Sequence, residues 1–250
     1  MVIGLDVWQA HFKDFSDRYV LLGGVACDLL MDDAGLPFRA TKDLDVVLLV
    51  EVVDAAFAQA FWAFVETGGY ERKEKGEGGK LYRFAKPTTA GYPFMIELFS
   101  RAPEGFDLAE GSQLTPLPID ETVASLSAIL LDEAYYALLK ANLRELAGLP
   151  LLHEAALIPF KARAYLDLSA RKAAGDKVDG ADVKKHRNDV FRLLQLLPAD
   201  GALDLPETIA SDMGAFLAAV AADEAFKPSD IKLRMGRDEA LARLASTYRL

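Results

Sequence analysis

The chain has 250 residues, 52% hydrophobic and 26% charged, a globular composition that excludes collagen-like, low-complexity and disordered readings. Its formal net charge of −10, from 38 acidic and 28 basic residues, argues against indiscriminate binding to nucleic acid. It leaves open a local basic patch, or an anionic substrate held through metal ions.

Trp8, Phe12, Phe15 and Tyr19 recur at mixed helical spacing and predict a first helix over 7–19. No apolar segment reaches the roughly 20 residues of a membrane helix. The N-terminus meets acidic and polar residues at once, so the expectation is a soluble, cytoplasmic protein without a membrane partner. Cys27, the single cysteine, fits a reducing compartment and reads as a small buried apolar residue. A short apolar strand, Tyr19 to Leu22, runs into Gly23-Gly24. A helical pattern follows through Val25, Leu29 and Leu30 and stops near Gly35 and Pro37. Leu44 to Val50 reads as a buried strand and 53–66 as an apolar-faced helix. YERKEKGEGGKLYRFAKP predicts a hairpin around Gly76 to Gly79, and YPFMIELFSR a further strand.

From about residue 120 the pattern turns helical. SLSAILLDEAYYALLKANL suits a helix, although its first half equally suits a last strand of the sheet. LIPFKARAYLDLSARKAAG places Pro159 in a first turn, where proline is favoured. ADVKKHRNDVFRLLQLLP and a broken helical stretch from Glu207, interrupted at Lys227-Pro228, complete the chain. The expectation is an α+β protein, a mixed sheet flanked by helices over 1–120 with a helical half over 121–250.

The chemistry concentrates in TKDLDVVLLV. Residues two apart on a strand share a face, so Asp43 and Asp45 place two carboxylates roughly 6–7 Å apart, with Leu44 and Val46 facing a core. Two such groups repel unless cations sit between them, and hard oxygen-seeking cations such as Mg²⁺ suit them. Met95, Glu97 and Phe99 share one face of the later strand. Glu97 in so apolar a run is costly unless paired or metal-bound. Gly23-Gly24, between a strand and a helix, exposes backbone N–H groups at a helix N-terminus, a phosphate-binding geometry. Thr41 is placed to hydrogen-bond the carboxylate loop, and Arg39 and Lys42 supply counter-charge.

GG-x-A-x-x-L, then R-x-T-K-D-L-D-V-V-L, then an acidic residue in a later strand resembles the nucleotidyltransferase superfamily. Within it the chain is most similar to the AbiEii-type enzymes, a group that includes abortive-infection and toxin–antitoxin toxins. The resemblance spans about residues 18–200. It implies a nucleotidyltransferase-like sheet with a helical C-terminal half, and Mg²⁺-dependent transfer of NMP from an NTP to an acceptor hydroxyl with release of pyrophosphate. Asp43 and Asp45 would bridge two Mg²⁺ ions about 3.5–4 Å apart. Glu97 would bind one of the ions or act as general base. Gly23 and Gly24 would hold the triphosphate, with Arg39 and Thr41 beside them. Lys161 would neutralise phosphate charge, and Asp189 would orient Lys161 or contact the nucleotide, with Asp182 as the alternative carboxylate. Read as a plain helix face, Asp189 pairs instead with Lys185 or His186.

The implied acceptor is tRNA or protein, and an antitoxin protein is an implied partner. A second reading is transfer to a small molecule of the antibiotic type. A third is a non-catalytic interaction protein of the same fold. Arg72, Lys73, Lys75, Lys80, Arg83 and Lys86, interleaved with Tyr82 and Phe84, form a basic cluster diluted by Glu71, Glu74 and Glu77. The three histidines lack zinc-ligand spacing, and no P-loop, G-x-G-x-x-G or G-x-S-x-G motif occurs.

Overall fold

Trp8, Phe12, Phe15 and Tyr19 divide between three elements instead of lining one helix. In the computed structural model, which describes residues 2–49, 52, 54–75, 80–100, 106–109, 112–114, 129, 130 and 132–250, helix α1 (Leu5–Phe12) passes into a 3-10 turn at Lys13–Phe15. Tyr19 opens strand β1 (Tyr19–Leu21). The helix expected over 7–19 ends early because all of β1 is buried, which a sheet interior allows and an amphipathic surface helix does not. Helix α2 (Gly23–Asp33), strand β2 (Asp43–Leu48) and helix α3 (Ala55–Gly68) follow. The start of α3 is set by Asp54, whose carboxylate accepts the Phe57 N–H at 2.9 Å.

Strands β3 (Glu71–Lys75) and β4 (Lys80–Ala85) pair as an antiparallel hairpin. Its turn, at 76–79, lies outside the described residues, as do the side chains of 72–82. Strand β5 (Met95–Ser100) completes this part of the sheet, and β6 (Phe106–Ala109) and β7 (Ser112–Leu114) form a separate ribbon. After helix α4 (Glu133–Ala141) come two more strands, β8 (Leu143–Leu146) and β9 (Leu149–Leu152). The main sheet then runs β3-β4-β5-β2-β1-β9-β8, with β2–β5 and β1–β9 parallel and the other neighbours antiparallel. The fold is α+β, a mixed sheet flanked by helices, as expected.

Register decides what each face carries, since cross-strand partners point the same way. Leu44 on β2, Ile96 on β5 and Phe84 on β4 form one row, all fully buried. Against this face pack α1 and α3. Phe84 meets Phe61 and Trp62 at 5.2 and 5.9 Å between ring centroids, and Tyr19 meets Trp8 edge-on at 5.5 Å. Asp43, Asp45, Glu97 and Arg83 lie on the opposite face.

Two compact units emerge, Met1–Leu130 with Leu143–Leu152, and Leu131–Asn142 with His153–Leu250. The boundary expected at 120 falls among residues outside the description. The chain leaves the sheet unit, forms α4, and returns as the β8–β9 hairpin, a segment the sequence reading assigned to the helical half. The second unit holds α4, α5 (Glu154–Ala173), α6 (Gly180–Leu193), α7 (Glu207–Ala222) and α8 (Arg237–Tyr248). The expected break at Lys227-Pro228 is a 3-10 turn at Pro228–Ile231. Pro159 is the sixth residue of α5 and not in its first turn, because His153 caps a helix that begins at Glu154. No helix of the described residues is long and apolar enough to cross a membrane.

Candidate active site

The site is built where β1 ends and β2 begins. The Leu22 N–H donates to the Asp45 carbonyl at 2.9 Å, which brings the first turn of α2 against the Asp45 side chain. Gly23 has φ +63°. A Cβ there would sit 1.6 Å from Asp45 Oδ2, so only glycine fits. The Gly24 N–H donates to the same oxygen at 3.4 Å. A Cβ on Gly24 would lie 2.5 Å from Thr41 Oγ1 and 3.5 Å from an Arg39 guanidinium nitrogen. Gly23, Gly24, Arg39, Thr41 and Asp45 therefore converge, and the glycine backbone meets a carboxylate of its own chain. The anion that the helix N-terminus attracts is here Asp45.

Asp43 shares the Asp45 face by strand alternation, and both are half-buried while Leu44 and Val46 are buried. Glu97 is the direct partner of Asp45 across the parallel β2–β5 pair, and Arg83 the direct partner of Glu97 across β4–β5. One row thus carries carboxylate, carboxylate and guanidinium on three adjacent strands. Arg83 grips Glu97 through one oxygen: Nε lies 2.6 Å and an Nη 2.5 Å from Oε1. Only 9% of Glu97 is exposed. Burial, then the charge of Asp45, pushes its carboxyl up to about 7, with Arg83 opposing and Asp43 adding to the rise. The two aspartates are thus close enough to act on Glu97 electrostatically.

These residues fit a hard divalent cation. The donor set is all oxygen, and Asp43, Asp45 and Glu97 share one face of neighbouring strands, where a cation would offset their charge. Among the described residues no three His, Cys, Asp or Glu side chains already converge as a cage. Mg²⁺ is ordinarily held by one or two carboxylates and completed by substrate phosphates and water, so Asp43 and Asp45 are the protein ligands such an ion would use.

In the helical unit, α5 and α6 bring Lys161 and Asp189 together. Lys161 is 4% exposed and Asp189 fully buried, and Lys161 Nζ lies 3.7 Å from Asp189 Oδ2. Arg192 holds the other oxygen at 3.1 Å. Lys185, one of the two local partners that helix spacing suggested for Asp189, pairs with Asp182 at 3.0 Å. Lys42 is exposed, 5.8 Å from the centre of the Phe94 ring. The basic cluster on the β3–β4 hairpin is partly spent, since Arg83 holds Glu97 and Lys86 pairs with Glu71 at 3.0 Å. Cys27 is buried in α2.

Sequence reasoning counted Arg83 only among surface cations. Its tie to Glu97 depends on the β4–β5 register, which alternation within one strand does not reveal.

No family model matches the chain, and no curated protein matches it. Among solved structures the chain is similar to the antibiotic-resistance factor ANT(2'')-Ia, described as showing substrate-regulated conformation dynamics. The identity is 14% and the TM-score 0.36, over 88% of this chain and 96% of that one.

Proposed function

We propose that the chain is a Mg²⁺-dependent nucleotidyltransferase that moves NMP from an NTP to an acceptor hydroxyl on tRNA or protein, and acts as the toxin of a toxin–antitoxin pair. The observation that carries the chemistry is the row Asp45–Glu97, with Asp43 on the same face, set against the Gly23–Gly24 backbone. The acceptor and the toxin role follow the AbiEii-type resemblance of the R-x-T-K-D-L-D segment.

Transfer of this kind needs positioning and charge neutralisation more than covalent chemistry by the protein. Asp43 and Asp45 would hold the divalent ions, which would supply neutralisation of the charge on the reacting oxygens. Arg39, Thr41 and the Gly23–Gly24 turn bind phosphate oxygens beside Asp45, whose Oδ2 already accepts the Gly24 N–H. Glu97 either completes the cation ligands or accepts the acceptor's proton, for which a carboxyl near 7 is suited. The acceptor oxygen bonds to the α-phosphorus, the bond to pyrophosphate breaks, and pyrophosphate leaves. From the helical unit, Lys161 neutralises phosphate charge, and Asp189 orients it or contacts the nucleotide. Their support is a lysine held buried against a carboxylate rather than displayed on the surface.

The test is purified protein with labelled NTPs and Mg²⁺, offered tRNA, protein (itself included) and a panel of aminoglycosides and lincosamides. Label on tRNA or protein is expected, falling at least about a hundredfold in Asp43→Ala, with growth arrest on expression of wild type only. Label on an antibiotic alone moves the acceptor to a small molecule. No label, and no thermal stabilisation by NTP with Mg²⁺, leaves a non-catalytic interaction protein.

A further inference from the structure

Arg83 lies on β4, two strands from the aspartates, and brings Nε and one Nη to a single oxygen of Glu97. The two side chains are 16% and 11% exposed, so water competes weakly for the pair. A guanidinium cannot lose its proton in a protein, and a fork on one carboxylate fixes where that carboxylate points. It also holds a permanent positive charge against Glu97, the cross-strand partner of Asp45.

We infer that Arg83 is a positioning residue that withholds Glu97 from the cation site, so that Asp43 and Asp45 alone load a divalent ion, and do so tightly only when an NTP supplies the remaining oxygens. The inference rests on reading the aspartates as the cation site and goes beyond it by ordering the events: nucleotide and metal enter together. With Oε1 held by Arg83, Glu97 is kept from the set of metal ligands.

The probe is Mn²⁺, followed by its electron paramagnetic resonance signal and by calorimetry at pH 7, with and without a non-hydrolysable NTP. Wild type is expected to bind Mn²⁺ weakly alone and at least tenfold more tightly with the nucleotide. Arg83→Gln releases Glu97, and its nucleotide-free affinity is expected to rise about tenfold. The double variant Arg83→Gln/Glu97→Gln is expected to lose that rise. A merely structural role for Arg83 would move the melting temperature and leave nucleotide-free Mn²⁺ affinity unchanged, which would overturn the inference. A rise that persists in the double variant would also overturn it, since Arg83 would then act by charge alone. If Arg83→Gln does not fold, Arg83→Lys serves, because it cannot put two donors on one oxygen. A two- to threefold rise is expected there, and none would overturn the inference. Failure of the underlying reading looks different: wild type then binds no Mn²⁺ even with nucleotide present.

Discussion

A methyl group at residue 23 has nowhere to go. The backbone there is left-handed, at φ +63°, and the added carbon would fall 1.6 Å from Asp45 Oδ2. Gly23→Ala therefore carries two penalties, a strained backbone of about 1–2 kcal/mol and the eviction of a site carboxylate. The expected outcome is a urea midpoint lowered by a loss of about 1–3 kcal/mol, with NMP transfer reduced as strongly as in Asp45→Ala. A variant that melts like wild type and keeps full transfer would show that Asp45 need not lie against the helix terminus. The double glycine was legible in the sequence as a strand-to-helix junction. What the backbone meets there was not, because Asp45 reaches it through the β1–β2 register, and a register between strands some twenty residues apart leaves no mark on either one. The Arg83–Glu97 pair was illegible for the same reason. By contrast, the shared face of Asp43 and Asp45 needs only alternation along one strand, and that much was readable.

Elements show where local signals succeed and where they are overridden. The β8–β9 hairpin was missed because its two-residue loop is Ala147-Gly148, both at positive φ (51° and 76°), and not the Asn-Gly or Asp-Gly that usually marks such a turn. Its strands are only four residues each, too short for alternation to outweigh the leucine-rich helical pattern around them. Pro159 gave a real signal that was misplaced. As the sixth residue of α5 it cannot donate to the Ala155 carbonyl one turn back, and proline inside a helix usually costs about 3 kcal/mol. Tyr248, at the end of α8, donates its hydroxyl to that same carbonyl at 2.7 Å and is itself 2% exposed. The tyrosine replaces the bond that the proline removes. Tyr248→Phe should cost about 1–3 kcal/mol by stranding the acceptor. In a Pro159→Ala background, where residue 159 regains an N–H, the same change should cost at least about 1 kcal/mol less. A thermodynamic cycle of the four proteins by urea melts checks this. Equal costs in both backgrounds would separate the proline from the tyrosine.

Over the whole molecule, the buried tyrosines set an upper limit on pH. Burial pushes Tyr19 up to about 12, and raises Tyr70, Tyr135 and Tyr248 well above the usual phenol range, with Asp212 adding to Tyr135 and Glu154 to Tyr248. Three of the hydroxyls donate, to the Pro93 carbonyl, to Asp212 and to the Ala155 carbonyl, so ionisation would also break those bonds. Below pH 10 the folded and unfolded chains both keep the phenol protons. Above it the unfolded chain releases them and the folded chain does not, so the unfolded state binds fewer protons and stability falls as pH rises. Each group contributes up to about 1.4 kcal/mol per pH unit in that window, and four together rival the roughly 5–15 kcal/mol of a typical domain within two units. The net charge of −10 at pH 7 adds self-repulsion in the same direction as lysines lose their protons. Two of the four tyrosines lie in each compact unit, so neither unit is spared. Alkaline titration should therefore show Tyr19, Tyr70, Tyr135 and Tyr248 ionising only above pH 10, together with the loss of helical circular dichroism. All eight tyrosines ionising reversibly near pH 10 with the dichroism unchanged would mean that these hydroxyls are not sealed in the two cores.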